Sequence, residues 1–365
     1  MALSRCMCLL MMLCATIASA QIKEEIGKVD GAHFRILMPA QWNGSLVLWC
    51  GGYTPVPIVF RAGERRSELA VALLGQGYAL AESGYSSGGI AVDGAIEDSD
   101  SLRKYFRQKY PRTAAVYVLG ESMGGLVALR LMEGFRDDYK AGLSFCGMLS
   151  KPSDYVRRAF DLLTLFAYFH PDTLPPPGEI PADFRPTEER MQRVVRALAA
   201  NPTAAAVLRT ESGAHDLSEL GAIVVFHTDL LRDVKSKCGG NPVSNEGTLY
   251  VSSADPEQIN AGVRRFPAAP RAANCLRGIG AARGELARPF LNVDASYDPV
   301  VPGWFANAYQ HSLAGSPSEV WFVRQYVSEK GHCSVPLRAR LGAFQELVRW
   351  SQNKADKPKP GFRLK

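Results

Sequence analysis

Val116-Tyr-Val-Leu-Gly-Glu-Ser122-Met-Gly-Gly-Leu-Val-Ala-Leu-Arg-Leu-Met-Glu-Gly-Phe135 is the stretch that decides the fold. Residues 116–119 form a short apolar run of the kind a buried strand shows. Leu126, Val127, Leu131, Met132 and Phe135 then recur at helical spacing. Between the two stands Gly120-Glu-Ser122-Met-Gly124, a Gly-x-Ser-x-Gly turn with no loop residue to spare. A serine at so sharp a strand-to-helix turn has an exposed hydroxyl and a strained backbone, which suits a nucleophile. The motif is short enough to recur by chance, and Gly84-Tyr-Ser86-Ser-Gly88 is a second copy. That copy leads into a loop, with the next helix only near Ala95, so Ser86 reads as a polar loop residue.

Outward from the elbow, strand-like runs at 46–50, 78–82, 141–147, 290–295 and 320–326 alternate with helical patterns at 67–76, 95–110 and 337–351. The alternation predicts an α/β fold: a doubly wound, mostly parallel central sheet covered on both faces. Residues 32–53 read as a hairpin about Trp42-Asn-Gly-Ser45. From 149 to 286 the pattern is mainly helical, punctuated by Pro175-Pro-Pro-Gly178, Asn201-Pro202 and Asn241-Pro242. The expected organisation is a core over 21–148 and 287–352, a helical cap inserted at 149–286, and a flexible tail at 353–365.

Composition narrows the class. The 365 residues carry 42 basic and 36 acidic side chains. No Lys/Arg-rich cluster is interleaved with aromatics, so nucleic-acid binding has no support. Arg5, an apolar stretch over 6–17 and Ala18-Ser-Ala20 fit a secretory signal peptide over 1–20, cleaved before Gln21. No later stretch is apolar for long enough to span a membrane, and the protein is expected in an exported, periplasmic or secreted, compartment. Of eight cysteines, Cys6, Cys8 and Cys14 fall in that leader. Among the remaining five, Cys238 and Cys275 flank a Gly/Asn/Pro-rich region and are the expected disulfide in an oxidising compartment. Cys50 and Cys146 sit in apolar runs and read as inert buried residues. No spacing resembles a metal site, and no cofactor is implied.

A serine hydroxyl needs an adjacent base, and the base an orienting acid. With a strand-elbow-helix architecture the chain order is nucleophile, acid, histidine, each beyond the carboxyl end of a strand. His332 follows the strand run at 320–326 and sits beside Gly331. Chain order disfavours His33, His170, His215 and His227, and His311 lies in a helical stretch. Asp298 is the favoured acid, in a loop able to reach the imidazole, with Asp294 at the strand end as the alternative.

The ordered set Gly-Glu-Ser122-Met-Gly-Gly, Asp298-Pro-Val-Val-Pro and Gly-His332, with the early Trp-Cys-Gly51-Gly52-Tyr53, resembles the α/β-hydrolase superfamily, its serine esterases and prolyl-oligopeptidase-like peptidases. The leading segment is too short for the propeller of the large peptidases. The resemblance strengthens Asp298. It implies an oxyanion hole made by the backbone N–H of Met123 with that of Gly52 or Tyr53. The plain alternative for Gly51-Gly52 is a tight turn.

The expected activity is hydrolysis of carboxylic esters through an acyl-enzyme on Ser122. A peptidase with the same three residues is the alternative, and a non-catalytic binding protein on the same fold a second one. The partner is a small ester or short peptide. Phe160, Phe166 and Tyr168 lie in an aromatic run that either packs the cap or lines an acyl pocket. Glu188, Glu189 and Glu211 are candidates for holding a peptide amine. Oligomeric state is not encoded legibly.

Overall fold

The computed structural model describes residues 22–251 and 254–363. The expected signal peptide at 1–20 lies outside the described residues.

Among the described residues, nine strands form one sheet: β1 (Lys23–Val29), β2 (Ala32–Met38), β3 (Ser45–Cys50), β4 (Ala79–Ser83), β5 (Ala115–Glu121), β6 (Ala141–Phe145), β7 (Phe290–Tyr297), β8 (Phe322–Lys330) and β9 (Gly361–Phe362). The spatial order is β1-β2-β4-β3-β5-β6-β7-β8-β9. β1 and β2 are antiparallel to their neighbours, and every pairing from β4 to β9 is parallel. This is the α/β-hydrolase fold.

The alternation of side chains along the strands builds two layers. Leu46 and Leu48 face one side with Val116 and Val118, under α2 (Val92–Lys109) and α3 (Met123–Gly134). Val47, Tyr117, Leu143 and Leu291 face the other, under α1 (Glu68–Gly75) and α11 (Leu337–Gln352). Strands covered on both faces read as unbroken apolar runs. Leu46, Val47 and Leu48 are fully buried, each contributing about 1.5–3 kcal/mol.

This burial overturns the hairpin expected over 32–53. β3 lies at the centre of the sheet, paired in parallel with β4 and β5, and β4 separates it from β2. Asn43 and Gly44 carry the chain across: Asn43 N donates to Gly77 O, and Gly44 O accepts from Ala114 N. The true hairpin joins β1 to β2 through Asp30-Gly31, both at positive φ (49° and 90°), as a tight two-residue turn requires.

Between β6 and β7 run α4 (Pro152–Phe169), α5 (Glu188–Ala200), α6 (Pro202–Ser212), α7 (Leu217–Cys238), α8 (Pro256–Gly262) and α9 (Pro270–Gly278). The prolines that punctuate the sequence here start helices more often than they break them. Pro152, Pro202, Pro256 and Pro270 each open one, where the missing N–H costs nothing. Asn201 and Asp216 cap α6 and α7 through their side chains. α10 (Trp304–Ser312) follows β7.

Residues 353–363, within the stretch 353–365 expected as a flexible tail, pack back on the core. Gly361–Phe362 adds β9 to the open edge of β8, and Arg363 pairs with Glu346 of α11 at 2.8 Å. The unpaired backbone groups of an edge strand supply the partner that the tail's own composition does not advertise.

The elbow rests on glycine. A Cβ on Gly124 would stand 2.0 Å from Cys50 O, and one on Gly120 would stand 2.0 Å from Gly124 O. Gly124→Ala is therefore expected to destabilise the fold by about 3 kcal/mol, read as a lowered urea midpoint. An alanine variant as stable as the parent would show that β3 and α3 are free to separate.

Candidate active site

Parallel β3, β5, β6, β7 and β8 bring their carboxyl ends to one edge of the sheet, and the candidate residues follow those ends. Ser122 links β5 to α3 with φ 54° and ψ −122°, a conformation costly for a residue with a side chain. Backbone bonds hold it there: its N–H donates to Phe145 O at 3.1 Å, and its carbonyl accepts from Gly125 N and Met148 N.

His332 follows Gly331, whose φ of 105° turns the chain after β8. Its Nε2 lies 2.9 Å from Ser122 Oγ, and its Nδ1 lies 2.7 Å from Asp298 Oδ2. The other oxygen of Asp298 accepts from the amides of Val300 and Val301 at 3.0 and 2.9 Å. Asp298 is buried and His332 partly open. Asp294, the alternative acid, is turned elsewhere: its Oδ2 accepts from Asn292 and Arg324 at 2.8 Å. Burial raises its pKa, and Arg324 opposes the shift. The other histidines sit in β2 (His33), after α4 (His170), before α7 (His215), inside α7 (His227) and in α10 (His311). Ser86 is held by Asp98, which accepts from both its amide and its hydroxyl.

Gly52, Tyr53 and Met123 surround Ser122 on the wall of the same cavity. A Cβ on Gly52 would lie 3.4 Å from Ser122 Cβ. Met123 is the first residue of α3, so its N–H has no acceptor within the helix. Tyr53 is fixed from above by α7: its hydroxyl donates to Asp229 at 3.3 Å and its ring meets Phe226 edge-on. Burial, then the carboxylates of Asp229 and Asp233, push the phenol pKa up, so it stays a neutral donor.

The cavity measures about 410 Å³. Met148, Tyr155, Ile223, Phe226, Leu230 and Val301 supply apolar walls. Phe160, Phe166 and Tyr168 are not among its lining residues. Phe160 packs edge-on to Phe266, Phe166 against His170, and Tyr168 against Phe169. The aromatic run of α4 faces the interior of the insertion, and only Tyr155, nearer the start of that helix, reaches the cavity. Its partner wall is α7, which contributes Ile223, Phe226 and Leu230. A second cavity, also about 410 Å³, shares Tyr53, Ala222 and Phe226 with the first, and Glu188 lines it. Glu189 and Glu211 line neither. The carboxylates that do reach the first cavity are Glu121 and Glu219.

Two further groups clamp the histidine loop. Cys146, just past β6, is bonded to Cys333, the residue after His332. Cys146 is thus not an inert buried residue: β6 and β8 end at the same edge of the sheet, which brings together residues 187 positions apart. Arg340 of α11 donates to Cys333 O at 2.8 Å and Val335 O at 2.7 Å, and pairs with Glu121 beside Ser122. Cys238 is bonded to Cys275, linking α7 to α9. Cys50 keeps a free thiol, its pKa pushed up to about 12 by burial. Cys146, His332 and Cys333 are the one cluster of metal-type donors among the described residues, and both of its sulfurs are spent on each other.

Comparison with known proteins adds the following. Residues 69–227 match a family model described as serine aminopeptidase, S33. No curated protein matches the sequence. Among solved structures, an esterase of Pyrococcus furiosus is 13% identical with a TM-score of 0.44, over 93% of this chain and 91% of that one. The acylaminoacyl peptidase of Pyrococcus horikoshii is 11% identical with a TM-score of 0.49, over 95% of this chain and 44% of that one. A puromycin hydrolase is 15% identical with a TM-score of 0.46, over 91% and 39%. This chain thus spans less than half the length of the latter two.

The two disulfides differ in what they hold. Replacing either pair by alanine is expected to cost about 2–5 kcal/mol of stability. Cys146→Ala with Cys333→Ala should also slow fluorophosphonate labelling of Ser122 in folded protein. Cys238→Ala with Cys275→Ala should leave the labelling rate unchanged. Equal labelling rates in the two double variants would show that the first bridge does not steady His332.

Proposed function

We propose that this chain, a serine hydrolase of the α/β-hydrolase superfamily, cleaves carboxylic esters with apolar acyl groups through an acyl-enzyme on Ser122. The observation that supports the reading is the hydrogen-bonded line from Ser122 Oγ through both imidazole nitrogens to Asp298, at 2.9 and 2.7 Å. In this reading His332 Nε2 takes the hydroxyl proton as Oγ attacks the ester carbonyl. The N–H of Met123 and that of Gly52 or Tyr53 bind the oxyanion. Asp298 fixes the imidazole tautomer and stabilises the imidazolium, its other oxygen being occupied by its own loop. Collapse of the tetrahedral intermediate expels the alcohol, which receives the proton from His332. Water, deprotonated by His332, then attacks the acyl carbonyl. A second collapse releases the acid and restores the Ser122 hydroxyl.

The apolar walls supplied by Tyr155, Ile223, Phe226 and Leu230 favour an uncharged hydrophobic acyl group. In this reading α4–α9 form the cap over the core. A second reading, release of an amino acid from a peptide, draws on the match to the serine aminopeptidase model and on Glu219 at the cavity wall. Glu219 already accepts from His215 N and from the Tyr297 hydroxyl, which leaves it less free for a substrate ammonium. Among the described residues no helix is long and apolar enough to cross a membrane. The two disulfides are compatible with an exported protein.

Ser122→Ala and His332→Ala are each expected to lower kcat by about 10⁴-fold or more. A panel of p-nitrophenyl esters beside aminoacyl and peptidyl anilides separates the readings. Turnover of anilides well above esters would replace the first by the second, and folded protein that neither turns over nor labels would leave a binding role. Phe226 walls the first cavity from the second. Phe226→Ala should therefore shift the ester panel toward longer acyl chains, and an unmoved optimum would place the acyl group elsewhere.

A further inference from the structure

The reaction proposed above needs Asp298 held against His332, and the loop that carries Asp298 sets where its carboxylate stands. With Oδ1 bound by the Val300 and Val301 amides, the carboxylate moves only as residues 298–301 move. That loop is gripped from the helical insertion on both flanks of Asp298. On one side Arg158, from the first half of α4, donates from one terminal nitrogen to Pro299 O at 3.0 Å and to Ser212 O, at the end of α6, at 2.6 Å. On the other, the Tyr297 hydroxyl donates to the Glu219 carboxylate of α7 and lies 2.9 Å from Gly213 O. Both grips converge on the turn from α6 to α7.

The surroundings of Arg158 argue against simple packing. Nη1 is buried and has no hydrogen-bond partner among the described residues. No carboxylate among the described residues lies at ion-pair distance from this guanidinium. Burial depresses its pKa, and Tyr155 and then Asp298 offset part of that shift. An apolar side chain of similar volume would fill the space at lower cost than a largely desolvated cation. What an apolar side chain would lose is the pair of carbonyls.

We propose that Arg158 is a positioning residue. By fixing Pro299 O to the end of α6 it holds Asp298 against His332, and so ties the competence of the site to the seating of α4, α6 and α7. The inference rests on the triad reading above.

The test is a thermodynamic cycle read as ester turnover per active site, with sites counted by fluorophosphonate titration. Arg158→Met is expected to lower kcat about tenfold with KM within about twofold, since a small displacement of the acid weakens only the transition state. Arg158→Lys, which keeps a cationic donor, should recover most of that loss. In an Asp298→Asn background Arg158→Met should cost nothing further. An equal loss in both backgrounds, a lysine variant as poor as the methionine one, or an unchanged kcat per site would each overturn the proposal. Should Arg158→Met fail to fold, Tyr297→Phe carries the same cycle from the other flank, with the same expected dependence on Asp298. A wild-type protein without Ser122-dependent turnover would instead overturn the triad reading, and this inference with it.

Discussion

Backbone touching backbone at Ser122 is the constraint on which the structure turns. Gly120, Gly124 and Gly125 let β3, β5, β6 and α3 approach so closely that a methyl group at any of them would meet Gly124 O, Cys50 O or Ser144 Oγ at 2.4 Å or less. That approach forces the serine into its left-handed conformation and raises its hydroxyl above the sheet edge. The same contact places the N-terminus of α3 and the turn after β3 side by side. Ser122 and the backbone amides proposed to bind the oxyanion are therefore set by one packing event, and neither can be altered without disturbing the other.

The remaining groups arrive on loops, and loops need external support to be held within a fraction of an ångström. The histidine loop is stapled covalently to the end of β6 and bound by Arg340, all within the α/β core. The acid loop is held by the insertion, through Arg158 and Tyr297. The imidazole thus belongs mechanically to the sheet, and its carboxylate partner to the helices above the cavity. The same helices also fix Tyr53 through Asp229. Whatever seats α7 acts on the cavity wall and on the turn of Gly52 and Tyr53 together.

The elbow was legible because its signal is local: a strand run, a five-residue turn and a helical stripe lie end to end. Chain order and strand ends single out His332 and leave Asp298 beside Asp294 as candidate acids, and only the family resemblance strengthens Asp298. What escaped the sequence was mostly pairing at a distance. Asn43-Gly44 looks like a hairpin turn, and nothing nearby says that β4 will slot between β2 and β3. Cys146 and Cys333 are far apart in sequence, and their bond follows only from β6 and β8 ending together. The aromatic run of α4 reads as either core or pocket lining, because aromatic residues suit both. Which face of α4 or α7 meets Ser122 depends on how six helices settle over the sheet, and periodicity is silent on that. The stretch 353–363 likewise carries no sign of its own pairing, since its partner is the open edge of β8 rather than anything within it.

That edge has a wider meaning. A sheet grows wherever a strand leaves its hydrogen-bonding groups unused, and this one ends in two unlike ways. β1 carries Lys23, Glu24, Glu25 and Lys28, charges that discourage another chain from lying alongside. At the far side two residues of the chain's own terminus occupy part of the margin of β8. Copies of the molecule that associate thus have little reason to do so by continuing the sheet from one to the next.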